Sequence, residues 1–264
     1  MPHWFDIGVN IPDRRLPVEE TISSALELDV TGLVSIGTSI AQSVECVALA
    51  KQFPHRIVAT VGVHPHNAKD TQAGFITQMK HLALQDQVVA IGECGLDFNR
   101  NFSPADTQQI VFEQQLQLAC ELNLPVYLHE RDAFETQIAL LKRYSDDLSG
   151  GVVHCFTGNQ QQLEQYLDLG FYIGVTGWVC DPKRGQDLRE ALHYLPLDRL
   201  LLETDSPYLR PKSLKGKSSS NHPANLPHIA EYIANLLQLD LQLLKQASWC
   251  NTMAVFGLEA RFAD

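Results

Sequence analysis

Eight short apolar runs, each followed by a stretch with helical spacing, constrain this chain more than any other feature. The runs, at 5–10, 32–37, 57–64, 88–97, 125–132, 151–158, 171–177 and 200–205, are rich in Val, Ile, Leu and Phe. Their near-continuous apolar character predicts strands of a parallel sheet buried on both faces. Between them, 18–28, 39–52, 75–84, 104–122, 133–144, 160–169 and 184–194 repeat apolar residues at helical intervals, several opened by a capping residue or a proline. Eight such units in 264 residues is the size of a closed α/β barrel, the (β/α)8 or TIM barrel. One domain spanning 1–264 is expected, with two last helices at 226–237 and 240–256 and one loop-like segment, rich in Ser, Lys and Pro, at 207–227. An open doubly wound sheet is the competing architecture, but no G-x-G-x-x-G follows the first run.

Composition narrows the function. Twenty basic against 31 acidic residues leave a net charge of −11, which excludes a broad electrostatic grip on nucleic acid, so any polyanion must be met by a local basic patch. No run approaches the length of a membrane-spanning helix, and the start has neither a basic region nor an apolar signal core. A soluble, cytoplasmic, monomeric protein with no membrane partner is therefore expected. The six cysteines, Cys46, Cys94, Cys120, Cys155, Cys180 and Cys250, form no close pair and read as small buried residues rather than a disulfide or zinc framework.

In such a barrel the chemistry gathers at the carboxyl ends of the strands, and the polar residues are there. Asp6 and Asn10 flank the end of the first run, His64 and His66 the third, Glu93 and Asp97 the fourth, His129 the fifth, His154 the sixth, and Glu203 and Asp205 the eighth. Alternation along a strand puts Val89, Ile91 and Glu93 on one face, and likewise Tyr127 with His129, Val152 with His154, and Glu203 with Asp205. If that face is the interior, Glu93, His129, His154 and Asp205 converge. Burying a carboxylate and imidazoles together is costly unless a divalent cation balances them, so these four are the candidate metal ligands.

The strings around these positions resemble the TatD-type metal-dependent deoxyribonucleases. Gly62-Val63-His64-Pro65-His66, Ala90-Ile91-Gly92-Glu93-Cys94-Gly95-Leu96-Asp97, the run holding His129 and Arg131-Asp132, His154-Cys155-Phe156-Thr157-Gly158 and Leu202-Glu203-Thr204-Asp205-Ser206-Pro207-Tyr208 follow the family's order over essentially the whole chain. The resemblance implies a TIM-barrel hydrolase acting on ester bonds, a nuclease of DNA and also RNA. It further implies 3′ to 5′ exonuclease action with a preference for single strands, and a divalent cation, Mg²⁺ before Mn²⁺ or Zn²⁺. It assigns Glu93, His129 and His154 as metal ligands, Asp205 as the aspartate that binds metal or activates water, and His64 and His66 as further active-site histidines.

Two departures stand out. Much of the family carries D-x-H-x-H in the first run, where this chain has Asp6-Ile7-Gly8-Val9-Asn10. Without those histidines a tightly held dinuclear zinc pair is not expected, and one firm site with a looser, oxygen-rich one is. Asn221-His222-Pro223 also lacks the acidic residue found between Asn and Pro in related sequences.

Phosphodiester hydrolysis assigns Asp205 as acceptor of the water proton, and His64 and His66 as phosphate contacts or proton donors. Glu203 is placed to orient a ligand histidine. Asp97 and Asp132 read as caps, and alternation turns Cys94 and Cys155 away from the ligands. Trp178 and Tyr208 either stack a base or plug the barrel mouth. Arg131, Arg210, Lys212, Lys215 and Lys217, with Lys183 and Arg184 nearby, fall on the carboxyl-end loops and are the candidate nucleic-acid contacts. Two other classes compete: an amidohydrolase or aminoacyl-tRNA deacylase on the same barrel, and an accessory protein without turnover. The intact polar set argues against the last, and the rim cations argue for phosphate over amide.

Overall fold

The computed structural model describes residues 2–216 and 218–262. Its strands are β1 (Trp4–Val9), β2 (Val30–Ser35), β3 (Ile57–Val61), β4 (Val88–Asp97), β5 (Val126–Arg131), β6 (Gly151–Val153), β7 (Tyr172–Val175) and β8 (Leu200–Leu202). All sequential neighbours pair in parallel, in the order β1 to β8. The seam between β8 and β1 is bridged where Val9 pairs with Ser206, where the Asn10 amide donates to the Ser206 carbonyl at 2.7 Å, and where the Asp205 amide donates to Gly8 at 2.9 Å. This is the barrel expected from the repeat.

The covering helices are α1 (Val18–Glu27), α2 (Ile40–Gln52), α3 (Phe75–Ala83), α4 (Ala105–Leu122), α5 (Phe134–Tyr144), α6 (Gln160–Asp168), α7 (Gln186–Leu192), α8 (Leu226–Leu237) and α9 (Leu241–Phe256). Their ends follow local chemistry. Ser39 caps α2 by accepting from the Gln42 amide, Asn159 and Gln162 form a reciprocal capping box on α6, and Asp240 accepts from two amides of α9. Gly257 ends α9 in the left-handed region at φ 62°.

Two apolar layers result. Residues such as Ile91, Leu128, Val153, Ile173 and Leu202 pack outward against the helices, while Phe5, Ile7, Val58, Tyr127, Val152 and Leu201 fill the barrel. Met253 and Phe256 of α9 join the inner layer, and Asn251 donates to the carbonyls of Leu197 and Leu200, so α9 plugs the amino end of the barrel. A cavity lies at the other, carboxyl end. Each fully buried aliphatic or aromatic side chain contributes roughly 1.5–3 kcal/mol, which makes this double layer the main stabilising term.

The strict alternation read along β4 does not hold. Its register shifts against β3 beside Val89 and against β5 beside Glu93, so two residues bulge, and Ile91 faces the helices while Val89 faces the barrel. Glu93 is thus aimed by a bulge, a device that redirects one side chain without moving the strand.

Asp6 does not reach the open end. Fully buried, it accepts from the Thr204 amide (2.9 Å), the Gly8 amide (3.2 Å) and the Thr204 hydroxyl (2.5 Å), tying β1 to the segment after β8. Burial, opposed by these hydrogen bonds and aided by the charge of Glu203, pushes its carboxyl up to about 8. A folded-state value above the unfolded one means that this carboxyl's contribution is complete below about pH 4 and is lost as pH rises to about 8. Asp6→Asn mimics the neutral acid. Its stability relative to wild type, from urea unfolding, is expected to improve by a few kcal/mol, on the order implied by such a shift, between pH 4 and 9. A pH-independent difference would mean that Asp6 is ionised throughout.

Candidate active site

At the open end Glu93 is a hub for three imidazoles. Its Oε1 lies 3.1 Å from His129 Nδ1, 3.5 Å from His64 Nε2 and 3.9 Å from His154 Nε2. Each ring is held by its other nitrogen. His64 Nδ1 accepts from the His66 amide at 3.1 Å, His129 Nε2 lies 3.4 Å from Asp97 Oδ2, and His154 Nδ1 lies 2.5 Å from Glu203 Oε2. Three rings clamped from behind, each with one nitrogen turned to a common carboxylate, form a preorganised donor set. Donor atoms of His64, Glu93 and His129 lie within 4.8 Å of one another, a group that could hold a cation. Mixed nitrogen and oxygen donors at this spacing fit a divalent metal.

The electrostatics point the same way. Burial opposes charge on Glu93, yet the imidazoles of His64 and His129 hold its carboxyl far below the usual range. Burial also opposes charge on His129 and His154, but Asp97 and Glu93 raise the first to about 9, and Glu203 the second to about 10. Burial drops His64 to about 3. Four carboxylates (Glu93, Asp97, Glu203 and Asp205) thus face a small set of imidazoles, two of which take up protons when no cation balances the charge.

Behind His154 sits a buried clamp. The Tyr127 hydroxyl lies 2.7 Å from His154 Nδ1 and donates to Glu203 Oε2 at 3.0 Å, while Glu203 Oε1 accepts from the Cys155 amide at 2.5 Å. Gly8 makes this possible. A Cβ there would lie 2.4 Å from Glu203 Oε2 and 2.7 Å from the Tyr127 hydroxyl, so the clamp fills the space a strand 1 side chain would take. Asn10, the second departure in that run, donates to Asp205 Oδ1 at 2.8 Å and to the Ser206 carbonyl at 3.2 Å. It steadies Asp205, whose Oδ1 is 3.9 Å from His154 Nε2. Burial and the nearby charges of Glu93 and Glu203 raise Asp205 to about 7 against the pull of His154, a value suited to exchanging a proton near neutrality.

Asp97, read from sequence as a cap, is also in the site. Besides accepting from the Arg100 amide at 2.8 Å, it contacts His66 Nε2 at 2.7 Å and His129. Its position four residues after Glu93 on one strand was the available signal. Tyr127 carried none, because its ring alone reads as core. Cys155 lines the cavity contrary to alternation, since the chain turns through the left-handed region there (φ 47°), and burial raises its thiol well above the ordinary range. Of the other cysteines, Cys46, Cys94 and Cys180 are buried, Cys120 is half-buried and Cys250 is exposed, so the expectation of uniform burial fails for the last. Asn221 is buried and donates to the Thr204 carbonyl at 2.8 Å, anchoring the loop after β8, while His222 caps the 3-10 turn Pro223–Asn225.

The cavity above these groups holds about 960 Å³ and is walled by loops from most strands, with Arg131, Trp178 and Tyr208 on its rim. Arg131 is exposed at the end of β5. Arg210 instead folds onto its own loop, donating to the carbonyls of Leu214 (3.0 Å) and Lys215 (2.7 Å). Lys212 and Lys215 are exposed on that loop outside the cavity lining, and Lys217 lies outside the described residues. Among the described residues, no helix is long and apolar enough to cross a membrane.

Known proteins match this chain over nearly its whole length. Residues 5–257 match the family model described as TatD related DNase. A protein of Rahnella sp. (strain Y9602) named 3′-5′ ssDNA/RNA exonuclease TatD is 48% identical over 261 residues, covering 97% of this chain and 99% of its own length. The protein of the same name from Escherichia coli K12 is 43% identical over 258 residues, covering 96% and 99%. Among solved structures, the E. coli K12 TatD homologue YjjV superposes with a TM-score of 0.89 at 28% identity, covering 96% of this chain and 98% of that one.

Proposed function

Because the chain belongs to the TatD-related DNase family, and is thus a metal-dependent nuclease, we propose that its crater removes nucleotides from the 3′ ends of single-stranded DNA and RNA. The observation that carries the site assignment is the hub: three imidazoles, each clamped by a protein partner, turned to Glu93. His64, Glu93 and His129 would hold the divalent cation, with His154 and Asp205 at its flank. When bound, the cation supplies positive charge for the phosphoryl oxygens and acidifies a water. We assign Mg²⁺ or Mn²⁺ to turnover, with Zn²⁺ as competitor for the imidazole nitrogens.

The chain's own groups do the rest. Asp205, held by Asn10 and raised by burial, accepts the proton of the attacking water. His66, fixed by Asp97 and half-open to the cavity, meets a phosphoryl or leaving oxygen. Arg131 contacts the backbone phosphates at the rim, where a local cation offsets an acidic protein. Arg210, Lys212 and Lys215 would act at longer range, since none of them lines the cavity.

The test is metal-depleted protein given end-labelled single- and double-stranded DNA, RNA and simple amides, with each divalent ion restored. Stepwise loss from the 3′ end of single strands is expected; cleavage of amides alone would overturn the reading. Asp205→Asn should bind single-stranded DNA as wild type does but cleave it roughly 10²–10⁴-fold more slowly, the usual range for a positioned base. Wild-type turnover in that variant would remove Asp205 as proton acceptor.

A further inference from the structure

Two aromatic rings on the crater rim are held by the same device, built from unrelated segments. Asp13 accepts from the Arg15 amide (2.7 Å), Nε (2.9 Å) and Nη2 (2.8 Å), and the guanidinium so fixed lies 4.7 Å from the centroid of the Tyr208 ring. Asp181 accepts from the amides of Lys183 (2.9 Å) and Arg184 (3.0 Å) and from Arg184 Nε (2.9 Å), and that guanidinium lies 4.1 Å from the centroid of Trp178. The Trp178 indole also donates to the Arg184 carbonyl at 3.1 Å. Both rings line the cavity, and Tyr208 is 50% exposed.

Each arginine is neutralised by its aspartate, so neither is a free grip for phosphate. What the pairs accomplish is to fix the ring. A guanidinium stacked on one face restricts the ring's rotation; Tyr208 is half-exposed, and Trp178, partly buried against the apolar core, presents to the cavity the part of its ring that a second planar partner would meet. The rings are also anchored to the reacting groups. The Tyr208 amide donates to the Asp205 carbonyl at 2.8 Å, and the Trp178 amide to Thr176 Oγ1 at 3.2 Å, where Thr176 also meets Cys155 beside His154. The two loops abut: a Cβ at Gly177 would lie 2.4 Å from the Leu209 carbonyl oxygen, which only glycine permits.

We propose that Tyr208 and Trp178 are stacking platforms for unpaired nucleobases flanking the scissile phosphodiester, each presented by its Asp–Arg pair. The inference rests on the nuclease reading and adds the part of the substrate it holds. Every base has a flat π face, so this recognition is indifferent to sequence. It requires an unpaired, unstacked base, which makes the platforms the source of single-strand preference.

The experiment compares wild type, Tyr208→Leu and Trp178→Leu on two end-labelled oligodeoxythymidylates, one natural and one with abasic tetrahydrofuran residues at the three positions nearest the cleaved end. Each substitution is expected to raise KM on the natural strand roughly tenfold, within the range of a lost base–aromatic stack, with little change in kcat. On the abasic strand, which wild type should cleave with a similarly raised KM, the substitutions should have no further effect. Indole fluorescence of Asp205→Asn should be quenched on binding the natural strand, and this quench should vanish in Asp205→Asn/Trp178→Leu. Equal losses on both strands would reduce the rings to structural plugs and overturn the proposal, as would unchanged KM on the natural strand. If wild type cleaves neither strand with any ion, the nuclease reading itself falls and takes the proposal with it.

Discussion

Glu93→Gln is expected to lower metal-dependent kcat/KM by at least about 10³, the largest loss of any single substitution that leaves the fold intact. The amide keeps the size of the side chain, and the backbone bond from the Glu93 amide to the Gly37 carbonyl (2.8 Å) is untouched. What disappears is the charge. Oε1 is the shared partner of His64, His129 and His154, and a neutral group there leaves the facing nitrogens of His64 and His129 without their carboxylate, while His154 keeps only Asp205 at 3.9 Å. The carboxylate that helps hold His129 and His154 above the ordinary imidazole range is also lost. Calorimetric titration with Mn²⁺ should show affinity reduced by two orders of magnitude or more, consistent with loss of a direct ligand rather than of its support, which costs about 10- to 100-fold. Thermal unfolding should stay near wild type. Retained metal affinity and turnover would show that the hub is a structural network.

Gly8→His, which restores one histidine of the D-x-H-x-H pattern, is expected to destroy the site instead of adding a second cation. The space is taken. Even an alanine Cβ would lie 2.4 Å from Glu203 Oε2, 2.7 Å from the Tyr127 hydroxyl and 3.3 Å from His154 Nδ1. Those three atoms form one buried hydrogen-bonded unit, with Glu203 and Tyr127 fully buried. Displacing one partner leaves a buried charge uncompensated, which costs about 3–5 kcal/mol. Urea unfolding should report that loss, and metal analysis should find no second tightly held ion. A stable Gly8→His protein retaining two ions per chain would contradict this account. Gly8→Ala paired with Tyr127→Phe, which removes the hydroxyl, should recover part of the stability of Gly8→Ala alone.

Much of this molecule is legible along the chain. Eight apolar runs and the helical stretches between them map onto β1–β8 and α1–α7 with shifts of a few residues at most element ends, because burial on both faces and capping are local signals. The largest differences lie at the strand ends. The third, sixth and eighth runs extend past Val61, Val153 and Leu202, where pairing stops, since apolar Val63 and Phe156 and the buried polar residues His64, His154 and Glu203 prolong the buried run beyond the paired strand. Strand order and the gathering of Glu93, His129, His154 and Asp205 at one end likewise follow from the parallel repeat.

Other features depend on where separate strands meet. The bulge that aims Glu93 arises from the registers of β3 and β5, not from β4 alone. Asp97 is a site residue because His66 and His129 come to it across the crater, and Asp6 is a buried tie because Thr204 closes over it from the far end of the chain. Gly8, a missing ligand in the sequence, is in three dimensions the gap that Tyr127 and Glu203 fill. The loop after β8, a run of cations along the chain, spends Arg210 on its own carbonyls. Periodicity and capping act over a few residues, so the sequence by itself determined the barrel and its polar end. Hydrogen bonds between residues up to 216 apart depend on packing, so only the tertiary structure decided which polar groups touch, which are clamped and which face the substrate.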